Sequence, residues 1–258
     1  MSDFETRFGG IIRLYGPQAA QTLKDSHVAV AGIGGVGTWV AEALARSGVG
    51  RITLIDMDDV CVTNANRQIH ALTSTIGRPK VEAMAERVRD INPDCQVVEV
   101  DDFVTPDNVA ELFTKDMDMV VDATDSIAAK AAMIAHCKRH KIRIITIGGA
   151  GGQIDPTRIQ VRDLTKTIQD PLARKLKERL RRDHGFSKNP ARKFGVDCVF
   201  SDEQLRYPQA DGSVCAAKHA EGSMKMDCSS GFGASTVVTA TFGFVAVARV
   251  IKKLTGVG

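Results

Sequence analysis

Short apolar runs rich in β-branched residues alternate with amphipathic stretches over the first two-thirds of the chain. HVAVAGI (27–33), RITLID (51–56), QVVEV (96–100), DMVVDA (118–123) and IRIITIGG (142–149) have the length and composition of strands. Between them, helical spacing of apolar residues predicts helices near 36–47, 79–91, 107–114 and 126–139. This alternation predicts an α/β fold: a Rossmann-like, doubly wound, mostly parallel sheet with helices on both faces.

After Gly152 the rhythm changes. QIDPTRIQVRDL alternates apolar and polar positions as a strand outside any βαβ unit, and residues 172–183 return to a helical period. The alternating region, 1–152, is therefore expected to carry an appended antiparallel and helical region, 153–258, the two forming one integrated domain. Gly231 to Ile251 is as long as a bilayer span and has Arg249 as its only charge, but Thr, Ser and Gly dilute it. It reads as a buried core or dimer helix, with membrane association the weaker alternative.

Composition narrows the class without naming a function. The chain has 258 residues, 43% hydrophobic and 25% charged, which fits a soluble enzyme core and not a disordered or fibrous chain. Cys61, Cys95, Cys137, Cys198, Cys215 and Cys228 include no CxxC pair, which argues against a disulfide scaffold or a four-thiolate zinc site and for a reducing cytoplasm. The opening MSDFETRFGG lacks the apolar run of a secretory leader.

Charge adds a partner. The net charge is +3, yet Ala173 to Lys193 holds nine Lys/Arg against Glu178 and Asp183, a local +7 that leaves −4 for the remainder. Arg174, Lys175, Arg179, Arg181, Arg182, Lys188, Arg192 and Lys193 are candidate RNA contacts, because clustered cations supply most sequence-independent affinity for phosphates. A solvated helix face is the alternative.

Candidate chemistry begins with GIGGVG (32–37), which follows a strand and opens a helix. Gly32, Gly34, Gly35 and Gly37 would let backbone N–H groups approach a phosphate at the positive end of that helix. Asp56 ends the next strand nineteen residues beyond Gly37, where a carboxylate commonly accepts ribose hydroxyls. These features alone suit any dinucleotide enzyme. DMDDVCVTNANRQ (56–68) then adds Asp58, Asn64, Asn66 and Arg67, GRPK (77–80) places Lys80 at a helix head, and DATDS (122–126) puts Asp122 and Asp125 at a strand end. Two carboxylates there suit a hard divalent cation. Asp125 could instead cap the following helix, and Asp58 and Asn66 could simply form turns.

GxGGxG, LIDMD, NxNRQ, GRPK and DATD in this order resemble the ubiquitin-activating superfamily, including the adenylating enzymes of molybdopterin and thiamine synthesis. The resemblance implies that Gly34, Gly35 and Gly37 line the phosphates of ATP and Asp56 the ribose. Arg67, Lys80 and Asp125 become the catalytic residues: Asn64, Arg67 and Lys80 neutralise the triphosphate while Asp125 holds Mg²⁺. Many relatives carry RYxRQ near the N-terminus, where this chain has RFGGIIRLYG with Gly10 in place of the second Arg; Arg7 or Arg13 would have to substitute. The relatives' zinc-binding CxxC pairs are missing, with Cys228 a possible remnant, so no zinc is expected. No thiol stands in a nucleophile context.

GFGASTVVTA, the RFGGIIRLYG start and the basic segment most closely resemble the subgroup of tRNA threonylcarbamoyladenosine dehydratases, across essentially the whole chain. That resemblance implies ATP-dependent cyclisation of the threonylcarbamoyl group beside the anticodon, a homodimer, and contact with cysteine desulfurases or their sulfur-acceptor proteins. The competing readings are an adenylating enzyme for a ubiquitin-like sulfur carrier, an NAD-dependent oxidoreductase, and a non-catalytic sulfur-relay scaffold that binds nucleotide.

Overall fold

The five apolar runs are parallel strands: β1 (His27–Ala31), β2 (Arg51–Ile55), β3 (Gln96–Val100), β4 (Met119–Asp122) and β5 (Ile144–Ile147). The structure is a computed structural model describing residues 3–209, 212–215 and 232–257. Helices α1 (Asp3–Tyr15) and α2 (Pro17–Asp25) precede β1. The chain between the parallel strands forms α3 (Gly37–Arg46), α4 (Lys80–Ile91), the short α5 (Val109–Leu112) and α6 (Ile127–His140). Beyond Gly152 come β6 (Ile159–Asp163), α7 (Pro171–Asp183), β7 (Asp197–Ser201), a small β8 (Tyr207–Pro208) and β9 (Val214–Cys215) pair, and α8 (Thr236–Thr255).

The main sheet runs β3-β2-β1-β4-β5-β7-β6. Every neighbouring pair is parallel except β6 and β7, whose antiparallel register sets Ile159 opposite Ser201 and Asp163 opposite Asp197. From β1 the chain winds outward through β2 and β3, then returns to place β4 on the other side of β1 and winds the opposite way. That reversal opens a crevice beyond the carboxyl ends of β1 and β4, the place where such sheets bind ligands.

Each face of the sheet is covered. Leu44 of α3, Met84 of α4 and Phe242 of α8 pack on one side with Val28, Val30 and Ile52. Phe113, Met133 of α6 and Leu176 of α7 fill the other with Ala29, Val120 and Ile144. The central strands β1, β2, β4 and β5 are buried on both faces, which explains their continuous apolar composition, whereas β3 at the edge is largely exposed. Ala173, Leu176 and Leu180 form the buried stripe of α7, so its basic residues are confined to the remaining surface.

The apolar C-terminal segment is core. α8 lies across α3 with Gly243 at the crossing, where an added Cβ would stand 2.8 Å from Trp39 Cβ. Val237 and Phe244 are the large apolar residues it leaves exposed. Among the described residues, no helix is long and apolar enough to cross a membrane. Cys228 and Gly231 lie outside the described residues.

Candidate active site

The glycine turn is built by close approach. Gly32 has φ +86°, and a Cβ there would meet Ala123 O at 2.9 Å. A Cβ on Gly37 would sit 1.7 Å from Gly32 O, so the turn closes only without side chains at both positions. Helix α3 starts with no side-chain cap on its N-terminal N–H groups, which leaves donors for an anion. Arg67 Cδ would stand 3.2 Å from a Cβ on Gly35, and Gln68 Nε2 4.0 Å from one on Gly34. Arg67 thus lies directly over the turn, and its Nη1 donates to Thr63 O (2.8 Å) and Asn66 Oδ1 (3.0 Å).

Asp56 stands at the end of β2, and its oxygens are engaged locally. Oδ2 accepts from Ile33 N at 2.6 Å and Oδ1 from Asp58 N at 2.9 Å. Burial pushes its carboxyl upward, opposed by the Lys80 ammonium and those two N–H groups. Lys80, the first residue of α4, is buried and donates to Asp58 Oδ2 at 2.6 Å, with Asp56 Oδ1 at 3.7 Å. A lysine carries three donors, so contact with Asp58 does not exhaust it. Asn64 is buried, and its Oδ1 accepts from Cys61 N at 3.0 Å, holding the turn before Arg67. Asn66, whose Oδ1 accepts from Arg67, donates through Nδ2 to Ala234 O at 2.8 Å.

The two aspartates of DATDS separate. Asp122 was expected to face a cation together with Asp125, and the structure corrects this. It is fully buried, paired with Lys130 at 3.0 Å, and accepts from the hydroxyls of Thr146 (2.6 Å) and Thr124 (2.9 Å). A carboxylate so enclosed offers a ligand no free oxygen. Asp125 is exposed, and its carboxylate has no hydrogen bond or ion pair among the described residues. Nor is it a helix cap: Ser126 Oγ fills that position on α6, accepting from Ala129 N at 3.4 Å.

Sequence reasoning passed over His70 and the loop after β5. His70 is buried, and its Nε2 lies 3.1 Å from Ile33 O, so Asp56 and His70 hold the two sides of the Ile33 residue within the glycine turn. Burial lowers the His70 pKa to about 4 and keeps the ring neutral. Its Nδ1 and the Oε1 of Gln68 are buried without partners among the described residues. The position of His70 just after NRQ was the available signal. The loop Gly148–Gly152 leaves β5 beside β4, and Gly152 N donates to Gly233 O at 2.8 Å. Segment 233–236 then reaches Asn66, whose carbonyl accepts from Thr236 Oγ1 at 2.5 Å. The phosphate turn, the Asn66–Arg67 turn and this loop therefore share one edge.

The basic segment spans the molecule. The first turn of α7 stands beside Gly149, because Asp170, its cap, accepts from both Ala173 N and Gly149 N. Arg174 and Lys175 are exposed on that turn. The helix then runs away from the glycine edge. Arg181 lies over the Phe194 ring at 5.4 Å, near the start of β7, and Lys188, Arg192 and Lys193 are exposed at that far end. Arg179 and Arg182 pair with Asp183 at 2.9 and 2.7 Å.

The N-terminal arginines belong to α1, whose Phe4 and Phe8 pack against Gly48 ahead of β2, and Arg7 pairs with Asp3 at 2.7 Å. Burial raises the Cys95 and Cys137 thiols to about 11 and about 12 and pushes Cys198 up further, so none of the three is a thiolate near neutrality. Among the described residues, no three His, Cys, Asp or Glu stand together as metal ligands.

A glycine turn at the switch point with Arg67 over it, and an aspartate ending β2 with Lys80 beside it, define a nucleotide-binding member of a known enzyme class. The chain belongs to the ThiF family, whose family model matches residues 10–258. It is 65% identical over 249 residues to the tRNA threonylcarbamoyladenosine dehydratase of Escherichia coli strain K12, covering 96% of this chain and 93% of that protein. Identity to the Haemophilus influenzae protein of the same name is 55% over 255 residues, or 98% and 95% of the two chains. The crystal structure of the Escherichia coli tRNA N6-threonylcarbamoyladenosine dehydratase in complex with ATP superposes with a TM-score of 0.88 at 58% identity, covering 99% of this chain and 96% of that one.

Proposed function

We propose that this chain is an ATP-dependent adenylating enzyme that dehydrates threonylcarbamoyladenosine in tRNA. The observation that carries the reading is the edge on which Arg67 lies over Gly35, Lys80 stands beside Asp56 and Asp58, and Asp125 presents an uncommitted carboxylate. Likeness to dehydratases over nearly the full chain supports the substrate.

ATP is the first substrate. Its phosphates lie on the glycine turn against the uncapped N–H groups of α3, and its ribose lies by Asp56. A threonine carboxylate oxygen attacks the α-phosphorus, the bond to the bridging oxygen breaks, and pyrophosphate leaves. Arg67 and Lys80 stabilise the negative charge that grows during this exchange. Asn64 keeps the turn bearing Arg67 in place. The carbamoyl nitrogen then attacks the acyl carbon and loses its proton, the carbon–oxygen bond to AMP breaks, and a ring closes. One water's worth of atoms leaves the nucleoside, its oxygen carried by AMP. The nucleophile belongs to the substrate, so no thiol is required.

Mg²⁺ fits this site through Asp125 and phosphate oxygens, since Mg²⁺ typically takes one or two carboxylates and completes its shell with phosphate and water. When bound it would neutralise phosphate charge. Asp122 is no part of that set. Residues 1–152 and 153–258 work as one integrated unit in the cytoplasm and as a homodimer, with Val237 and Phe244 of α8 an apolar strip available to a second copy. Arg174 and Lys175 are the RNA contacts on the glycine edge, and the cations from Arg179 to Lys193 are longer-range ones.

Mass spectrometry of the anticodon-loop nucleoside, after incubation with ATP, Mg²⁺ and threonylcarbamoyl-modified tRNA, tests the reading. The expected result is loss of one water with stoichiometric AMP. An unchanged nucleoside, with AMP formed when a ubiquitin-like carrier is supplied, would overturn it.

A further inference from the structure

Beneath the glycine edge runs a buried chain of charge that the reaction above does not use. Lys130 of α6 is fully buried, and its ammonium reaches Asp122 Oδ2 (3.0 Å), Thr146 Oγ1 (3.3 Å) and Ile147 O (2.7 Å). One cation thereby joins the turn bearing Asp125 to the strand that leads into the Gly148–Gly152 loop. Asp170 continues the link from the α7 side. Its Oδ1 accepts from Ala173 N (2.9 Å) and caps α7, while its Oδ2 accepts from Gly149 N (3.0 Å).

Gly148 is shaped around this carboxylate. A Cβ there would fall 1.8 Å from Asp170 Oδ2, so only glycine admits the side chain. Fixing Gly149 also fixes the next two residues, and the N–H groups of Ala150 and Gly151 find no acceptor among the described residues. Both residues are half-buried on the edge shared with Asn66 and Arg67. Adjacent backbone donors without an acceptor among the described residues are the kind of group that holds a carboxylate or an oxyanion.

We propose that Asp170 is a positioning residue, tying the first turn of α7, with Arg174 and Lys175, to the Gly149–Gly151 turn, so that RNA seated on the helix meets donors held in one geometry. The proposal rests on the dehydratase reading. Asp170 uses two acceptor oxygens at once, and no neutral residue of its size provides both. Serine keeps the cap, being as good an N-cap residue as aspartate, but its single short hydroxyl cannot also hold Gly149.

The test is Asp170→Ser, with Asp170→Asn as a second variant that retains one acceptor and turns an amide N–H toward Gly149 N. Expected are a Tm near that of the parent, KM for ATP and Kd for tRNA within about twofold, and a kcat for dehydration about thirtyfold lower, consistent with the cost of misplaced donors. Hydrogen exchange at the Gly149 amide should accelerate at least about tenfold, the loss of one hydrogen bond's protection, while α7 remains protected. A purely structural role would lower Tm and leave kcat per folded molecule unchanged. Parental kcat in a folded Ser or Asn variant, or unaltered exchange at Gly149, overturns the proposal. A parent protein inert toward the modified tRNA overturns the dehydratase reading instead, and the exchange measurement, which needs no substrate, still decides whether Asp170 holds the loop.

Discussion

The ends of β2 and β4 carry the same pair of residues in opposite states. Asp56 and Asp122 both terminate strands next to the glycine turn, and each has a lysine beside it. At β2 the lysine and Asp56 are 7% and 9% exposed, but the lysine is shared with Asp58, whose side chain is 55% exposed, so the Lys80–Asp58 contact borders solvent and can exchange a partner for a ligand. At β4, Lys130 and Asp122 are both 0% exposed and their polar atoms are satisfied internally. Desolvated ions that are fully partnered act as structure, whereas ions at an open rim remain available for chemistry.

Removing each lysine is the hardest test of that contrast. Lys130→Met should cost about 3–5 kcal/mol in urea unfolding, because Asp122 would remain buried and unpaired. Lys80→Met should cost less, about 2 kcal/mol, since Asp58 turns to water and Asp56 keeps the N–H groups of Ile33 and Asp58, yet it should nearly abolish AMP formation. Equal stability losses would erase the distinction.

Acid should act through His70. Its folded pKa of about 4 lies below the ordinary 6.5, so the unfolded chain binds more protons between those values. Its contribution is complete above pH 6.5 and fades as pH falls toward 4, a loss of about 3 kcal/mol at most. His27 is also lowered by burial and acts with the same sign, so the His70→Asn variant isolates the effect: its stability should fall less steeply across this window. A parallel pH profile would remove His70 from the argument.

Asp125→Ala and Arg67→Ala test the open rim from the activity side. Each should slow AMP release about a hundredfold or more, equivalent to about 2.7 kcal/mol, with little movement of Tm. The smallest effect concerns RNA: neutralising Arg174 and Lys175 should flatten the logarithmic salt slope by about 1–2, and neutralising Arg192 and Lys193 by less. The reverse order would place the RNA at the far end of α7.

Much of this frame is legible in the residue pattern. Strands buried on both faces are continuous apolar runs, so β1, β2, β4 and β5 are visible in the sequence, as are the exposed β3 by its valines, the helix preceded by Ser126 and the strand whose partner is antiparallel. Helices α1 and α2 are obscured by Gly9, Gly10, Gly16 and Pro17, and by the kink at Phe8. The contrast between Asp56 and Asp122 is invisible at this level, because both read as a carboxylate closing an apolar run. Lys130 lies in IAAKAAM, where a cation looks solvent-facing until the packing of α6 on β4 and β5 is known. Asp170 and Pro171 form a helix-start signal, although the second bond of Asp170, to Gly149, depends on tertiary contact.

Asn66 donates across 168 residues to Ala234, and Thr236 returns a bond to the Asn66 carbonyl. During synthesis on the ribosome, the glycine turn, Asp56, Lys80 and Asp125 can all assemble well before that partner has been made. The turn carrying Arg67, already held by Asn64, Thr63 and the Trp39 ring N–H, gains its bonds to Ala234 and Thr236 only once these have been made. A nascent chain can thus shape the nucleotide crevice before the strap from the far end of the sequence closes over it.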